Sequence, residues 1–158
     1  MKRAAIVTLL TLAVLTFRPA PALADGTAFW GFSPTVSTRS TTGFSIGVSL
    51  LIVGFEFEYA HLNEDTTAGA PGLSTGMFNA LVMTPTRMQL YVTAGGGVYH
   101  ESLAAVGNTN VGINVGGGVK VPLAGPIRLR VDYRVMTLNG SPVTKSVQRI
   151  YFGANIAF

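Results

Sequence analysis

Charged and apolar side chains alternate in the segment "IRLRVDYRV", residues 127–135. The even positions hold Arg128, Arg130, Asp132 and Arg134, whereas each odd position holds an apolar residue or Tyr. A period of two places the two sets on opposite faces of a β-strand. If the charged face is buried, its charges need partners of opposite sign, because a lone buried charge is costly.

Charges on other segments follow the same alternation. Glu56 and Glu58 alternate with Phe55, Phe57 and Tyr59. The charged set predicted to share one interior is Glu56, Glu58, Glu101, Lys120, Arg128, Arg130, Asp132, Arg134 and Arg149. Acids and bases nearly balance in this set, which favours a structural ion-pair plug. A gated narrow pore, in which Arg128 or Arg130 exchanges partners with Glu56 or Glu58, is the alternative.

The tripeptide "HES" offers a second kind of chemistry. His100 and Ser102 share one face of a predicted strand, where a histidine can act as base toward a serine nucleophile. No Asp or Glu lies between residues 102 and 131 to orient the histidine. We therefore predict no catalytic residues and place His100 and His61 at the level of lipid headgroups. The stretch "HLNED" could bind a surface cation weakly, but we predict no metal site and no cofactor.

The first 24 residues have the layout of a secretory signal peptide. The basic start "MKR" precedes a 14-residue apolar run and a small-x-small site at Ala22 and Ala24. We predict cleavage before Asp25, since the apolar run is short for a retained anchor of about 20 residues. This division gives a signal peptide, 1–24, and one mature domain, 25–158.

Loss of the signal peptide changes the charge balance. Lys2, Arg3 and Arg18 leave with it, so eight Lys and Arg remain against seven Asp and Glu. This near-neutral balance gives no support for a nucleic-acid partner, which requires a clustered basic surface. The chain has no Cys, so it can form neither a disulfide nor a thiolate metal site.

Eight alternating segments follow along the mature chain. They are 27–37, 43–50, 54–62, 75–83, 88–102, 109–123, 127–138 and 147–158. Most have about the 9–11 residues that a tilted strand needs to cross a bilayer. Tight turns alternate with more polar connections, and the predicted exposed loops are 38–42, 62–74, 103–108 and 139–146. An even number of strands with this alternation predicts an eight-stranded antiparallel up-and-down transmembrane β-barrel, with both termini in the periplasm.

Composition separates this prediction from its soluble alternative, a periplasmic β-barrel binding protein. Charged residues make up 11% of the chain, compared with about 25% in a typical soluble domain. The polar face is rich in Gly, Ser, Thr and Asn, which suits a crowded interior. An eight-stranded barrel is just wide enough for side chains to fill it, so we expect a filled polar lumen.

The C-terminal stretch "YFGANIAF" resembles the end of small Gram-negative outer-membrane β-barrel proteins, the OmpA/OmpX-like group. In that group a terminal aromatic, a hydrophobic residue two before it and a glycine five before it form the assembly signal. Phe158, Ile156 and Gly153 match these places, and Tyr151 occupies the usually polar position. The resemblance implies a cell outer-membrane location, with the barrel-assembly machinery and periplasmic chaperones as partners during biogenesis.

The resemblance also sets the functional expectations. We expect a monomeric, non-enzymatic barrel that contacts outer-membrane lipid or lipopolysaccharide and serves membrane integrity or surface interaction. A narrow pore is the second hypothesis. The third is a lipid A-modifying enzyme, because the His-x-Ser at His100 and Ser102 resembles that of outer-membrane lipid A deacylases. The orienting acid of those enzymes would be expected near Asn114, where this chain has none.

Overall fold

A computed structural model describes residues 23–104 and 106–158, and these residues form one closed sheet of eight strands. The strands are β1 (Leu23–Ser33), β2 (Arg39–Leu50), β3 (Val53–Leu62), β4 (Gly72–Met83), β5 (Gln89–Leu103), β6 (Val106–Ala124), β7 (Ile127–Leu138) and β8 (Ser146–Ala157). The predicted signal peptide, Ala22 included, lies outside the described residues except for Leu23 and Ala24. No helix in the described ranges is long and apolar enough to cross a membrane.

Each strand pairs antiparallel with its neighbours in the sequence, and β8 pairs with β1 to close the barrel. The closing register runs from Asp25 opposite Ala157 to Phe32 opposite Ile150. Ala24 and Phe158 then exchange two backbone hydrogen bonds, of 3.0 and 2.9 Å. Closure therefore extends to the last residue, and it removes the free edge that a sheet cannot keep in hydrocarbon.

The polarity of the two faces of the sheet is the reverse of that in a soluble barrel, since apolar side chains lie outside and charged side chains inside. Large apolar side chains lie on the outer surface, with Phe78 71% and Trp30 59% exposed. Arg130 and Arg134, by contrast, are completely buried in the lumen. An apolar exterior and a charged interior suit lipid outside the wall, and the predicted fold class is confirmed.

The barrel has two different ends. The turn end carries the connections 51–52, 84–88 and 125–126 together with both ends of the described chain. The loop end carries the connections 34–38, 63–71 and 139–145 and the short connection between Leu103 and Val106. These two names are used below.

The predicted position of the first strand and its loop was wrong. The strand was expected over 27–37, but β1 starts four residues earlier and ends at Ser33. Pro34 has no N–H to donate to a β-ladder, and Val36 has a positive φ of 66°. The first loop is consequently 34–38, and residues 39–42 belong to β2.

The predicted exposed loop at 103–108 was also wrong. β5 continues to Leu103 and β6 starts at Val106, so the described residues of this stretch belong to the two strands of a long hairpin or lie at its tip. The pairing of β6 with β7 begins only at Gly112, which leaves Val106–Val111 extending beyond β7. Asn and Gly have low intrinsic strand propensity, but cross-strand pairing with β5 outweighs it here.

The glycine run of β5 marks a close approach of neighbouring backbones. A Cβ on inward-facing Gly97 would meet the carbonyl oxygen of Gly76 and lie 2.9 Å from Met77 Cα. A Cβ on the next residue, outward-facing Gly96, would meet nothing nearer than the Gly112 oxygen at 3.4 Å. Two adjacent glycines thus differ sharply in the space that surrounds them.

We predict that Gly97→Ala destabilises the barrel by about 1–3 kcal/mol, because the added methyl group overpacks the wall. Gly96→Ala, the matched control, should stay within about 0.5 kcal/mol of the wild type. Urea unfolding of the refolded barrel, followed by the different gel mobilities of folded and unfolded protein, measures both. Equal stability of the two variants would contradict the predicted close approach.

Candidate functional site

Glu56 lies at the centre of the lumen, between two arginines of β7. It forms an ion pair with Arg130 Nη1, and its Oε1 accepts hydrogen bonds from Arg130 Nη2 at 3.2 Å and Arg134 Nη2 at 2.8 Å. Asp132 accepts from the same two arginines, each at 3.0 Å. Alternation along β7 puts Arg130, Asp132 and Arg134 on the inner face. Strand β3 lies on the opposite side of the lumen and supplies Glu56.

Glu58 continues the network toward the loop end. It pairs with Arg149 of β8, and its Oε2 lies 3.2 Å from Arg134 Nη2. Tyr151 donates its hydroxyl proton to Glu58 Oε2 at 3.2 Å. The ring of Tyr151 stacks on Phe29 with centroids 4.0 Å apart, which fixes the phenol in place. In this central layer the glutamates and arginines therefore have oppositely charged partners on other strands, whereas Asp132 pairs with two arginines of its own strand.

A second group of charges lies nearer the turn end, and its acid was missed by sequence analysis. Asp25 forms an ion pair with Lys120, and its Oδ2 lies 3.2 Å from Arg128 Nη2. Arg128 Nε also donates to Asn155 Oδ1 at 2.8 Å. Asp25 was taken as the first residue after cleavage, outside any strand. Asp25 lies two residues before the inward-facing Thr27, so the alternation of a strand extended to Asp25 would have indicated an inward side chain.

The structure places Glu101 apart from these two groups. Its carboxylate accepts the backbone N–H of Val143 at 3.2 and 3.3 Å, which ties β5 to the loop 139–145. Arg39, which sequence analysis left out, is also buried at the loop end. It donates to the carbonyl of Pro71 and, at 3.3 Å, to that of Asn63.

The lumen is not polar along its whole length, contrary to expectation. Buried apolar side chains fill the part toward the loop end. They are Leu62, Leu73, Met77, Tyr99, Met136, Leu138 and Val147. At the loop end of β3, β4 and β7 the alternation reverses, because Leu62, Leu73 and Leu138 point inward whereas His61, Ser74 and Thr137 point outward.

The filled lumen leaves little free space in the described part of the chain. Two voids lie along the inner wall, one near Asp25 and Lys120 and one near Thr41 and Arg149, each of about 10 Å³. Such a volume is close to the minimum that holds a single water molecule. The ion pairs and the apolar cluster together fill the cross-section of the barrel.

His100 and Ser102 share the outer face as predicted, but their side chains turn to different strands. His100 Nδ1 lies 2.8 Å from Thr109 Oγ1 on β6. Ser102 Oγ, in contrast, would lie 3.1 Å from a Cβ placed on Gly72 of β4. The two side chains are therefore not arranged as a base and its nucleophile in this structure.

The residues of "HLNED" also take separate partners. His61 Nδ1 lies 2.9 Å from Ser74 Oγ, and Glu64 accepts the N–H of Ala104 at 2.7 Å. Asp65 accepts the N–H of Ala68, and this hydrogen bond lowers the pKa of the Asp65 carboxyl. Over the described ranges, no three His, Asp or Glu side chains converge on a point where a metal ion could bind.

The proposed assembly signal is divided between the two faces of β8. Tyr151 is fully buried among the lumen arginines, and Gly153 is also buried. Ile156 is 50% and Phe158 76% exposed on the outer wall, at the turn end. The two C-terminal apolar positions are thus accessible from the membrane side.

Solved structures similar to this barrel include proteins of Gram-negative outer membranes. The N-terminal β-barrel domain of Pseudomonas aeruginosa OprF matches with a TM-score of 0.66 and 17% identity, covering 86% of this chain and 97% of that one. Neisserial surface protein A matches with a TM-score of 0.62 and 16% identity, over 86% and 94%. This chain has the fold of the small outer-membrane β-barrels. No family model and no curated protein sequence matches it.

Barrels of this shape include an enzyme. The outer-membrane enzyme PagL matches with a TM-score of 0.53 and 14% identity, covering 84% of this chain and 98% of that one. At such identities the likeness shows the fold alone. The chemistry of this chain must be argued from its own side chains.

We predict that Glu56→Gln destabilises the barrel by about 3–5 kcal/mol, because it leaves two buried arginines short of a counter-charge. Glu64→Gln is the matched control, since Glu64 is exposed and Gln can still accept the hydrogen bond of Ala104; it should cost about 1 kcal/mol at most. Urea unfolding of the two refolded variants gives the comparison. A Glu56→Gln variant as stable as Glu64→Gln would contradict the network geometry.

Proposed function

We propose that the protein is a monomeric, non-enzymatic barrel of the Gram-negative outer membrane that serves membrane integrity or surface interaction. The observation that carries this proposal is the filled lumen. Arg130 and Arg134, both fully buried, hold Glu56 and Asp132 between them, and the remaining voids are the size of one water molecule. A barrel blocked in this way acts through its outer wall and its loops.

The loop end supports a surface role because its segments are tied to one another. Glu64 binds the N–H of Ala104, and Glu101 binds the N–H of Val143. Gln148 then donates its N–H to Thr35 Oγ1 at 2.8 Å, which joins the start of β8 to the first loop. These hydrogen bonds attach each loop to a neighbouring loop or strand, which favours a defined surface over a mobile lid.

A narrow gated pore is the second candidate, and one observation favours it. Arg134 contacts Glu56, Glu58 and Asp132 at the same time, at 2.8–3.3 Å. A guanidinium with three acidic neighbours can exchange partners without leaving its charge unpaired. Arg128, which was expected to exchange with Glu56 or Glu58, instead pairs with Asp25.

Conductance separates the two candidates. We expect the wild-type barrel in planar lipid bilayers to stay at the background level of protein-free membranes, because the ion pairs and the apolar cluster block the lumen. Glu64→Gln, outside the lumen, should behave in the same way. Discrete current steps in the wild type that change with Glu56→Gln would overturn the plug and favour the pore.

A lipid-modifying activity has less support. PagL shares the barrel shape, but the ring of His100 is bonded to Thr109 here, away from Ser102. The position of Asn114 also differs from the expectation for an orienting acid, since Asn114 is buried in the lumen and donates to Asn79 at 2.8 Å. We therefore retain the non-enzymatic proposal.

The exposed C-terminal aromatic supports recognition by the barrel-assembly machinery, with periplasmic chaperones acting before it. Phe158→Ala keeps the backbone of β8 but removes the aromatic ring. We predict that it lowers the amount of folded protein in the outer membrane several-fold in cells, while refolding in detergent stays unchanged. Phe152→Ala, which removes another exposed aromatic of β8, is the matched control and should assemble normally.

Deletion of Asp25 is not a suitable control for the terminal ring, because Asp25 pairs with Lys120 and Arg128 in the lumen. Removing it would disturb the fold itself. Equal cellular amounts of the Phe158→Ala and Phe152→Ala variants would show that the terminal ring has no special part in assembly.

A further inference from the structure

Polar side chains form a continuous row across the outer wall of β2–β6. Its members are Thr42, His61, Ser74, His100 and Thr109. Each is paired directly with the next in the register of neighbouring strands. Both imidazoles are exposed on the surface that otherwise faces lipid. These five residues form a continuous polar row across five adjacent strands of the outer face.

The row marks the limit of the apolar surface toward the loop end. The next outward row, one step toward the turn end, holds Phe44, Tyr59, Gly76, Val98 and Val111 in the same continuous register. The following row contains Ile46, Phe57, Phe78, Gly96 and Ile113. Side chains at the end of the apolar belt lie where lipid headgroups meet the acyl chains.

Hydroxyl groups on neighbouring strands orient both imidazole rings. Ser74 Oγ lies 2.9 Å from His61 Nδ1, and Thr109 Oγ1 lies 2.8 Å from His100 Nδ1. The ring of His100 lies over Gly107, where an added Cβ would be 2.9 Å from Nε2. When a hydroxyl donates to Nδ1, the ring proton is on Nε2, which then donates to a ligand. The row thus presents the Nε2–H groups of the two imidazoles as donors.

The surface below Ser74 has room for an acyl chain. Gly76 follows Ser74 on the outer face of β4, and a Cβ placed there would meet only Phe57 and Val98, each at 3.9 Å. The absence of a side chain leaves a shallow recess between Tyr59 on β3 and Val98 on β5. A polar row directly above an apolar recess matches a ligand with an anionic head and a hydrocarbon tail.

We propose that this row binds the phosphate group of an outer-leaflet lipid, with an acyl chain lying over Gly76. The inference rests on the outer-membrane location proposed above. An anion fits because the row contains donors and no carboxylate. Glu64, on the adjoining loop, already accepts the N–H of Ala104. Phosphate oxygens of the lipid can accept hydrogen bonds from the Nε2–H groups of His61 and His100.

The test uses the refolded barrel in detergent, without a histidine tag and with labelled imidazoles, and records the NMR signals of His61 and His100. Phosphorylated lipid A, the same lipid without its phosphates, and inorganic phosphate are titrated separately. We expect saturable shifts of both imidazoles with phosphorylated lipid A. Its affinity should exceed that for the dephosphorylated lipid, and that for inorganic phosphate, by at least tenfold.

The double variant His61→Gln, His100→Gln should weaken binding of phosphorylated lipid A at least tenfold, measured by native mass spectrometry. Arg87→Gln, at the turn end, is the control for general attraction by a basic residue and should bind like the wild type. The gel mobility of unboiled protein shows whether each variant is folded. The NMR arm needs no variant, so the proposal stays testable even if the double variant misfolds.

Three outcomes would overturn the proposal. Equal affinity for the dephosphorylated lipid would show that the phosphate group is not recognised. Equal affinity for inorganic phosphate would show that the acyl chains do not contribute. Unchanged binding by the folded double variant would show that the two histidines are not part of the site. Loss of an acyl chain from lipid A during incubation, seen by mass spectrometry, would show that the protein hydrolyses this lipid and does not merely bind it. None of these results bears on conductance, so failure here is distinguishable from failure of the plugged-lumen proposal.

Discussion

Closure of the sheet between β1 and β8 is the constraint on which the rest of the structure depends. In hydrocarbon, each backbone N–H and C=O must be paired within the protein, so an open edge is not tolerated. The hydrogen bonds between β1 and β8 run from Phe32 and Ile150 to Ala24 and Phe158, and they pair the backbone groups of the first strand with those of the last. Once the sheet is closed, one face of each strand must point into a narrow lumen.

The charged interior follows from that geometry. Lipid requires apolar residues outside, so polar residues fall on the inner positions of an alternating strand. Their charges are tolerable only as neighbours of opposite charges, and β7 carries three arginines together with Asp132. Glu56, Glu58 and Asp25 reach these arginines from other strands. The ion pairs therefore link the walls of the barrel across the lumen, in addition to the sheet that links them around it.

The outer wall carries the remaining polar chemistry. His61 and His100 lie on strands separated by β4, and each is bonded to a hydroxyl of the next strand. Sequence analysis placed both at the headgroup level, but it paired His100 with Ser102 because the two share a face. Sharing a face did not fix the direction of the rings. The space above Gly107 lets His100 lie toward β6 instead.

The sequence alone determined the fold class, the face on which most side chains lie, and the membership of most of the lumen charges. These properties depend on a period of two, which is local and visible along the chain. Only the tertiary structure decided the partners, since Glu56 and Arg130 are 74 positions apart and meet through strand register and barrel diameter. It also placed Asp25 in the lumen, because closure extends β1, and the apolar cluster near the loop end, where the apolar residues of β3, β4 and β7 point inward and their polar neighbours outward. Pairing between distant segments is a property of the closed sheet and leaves no local pattern in the sequence.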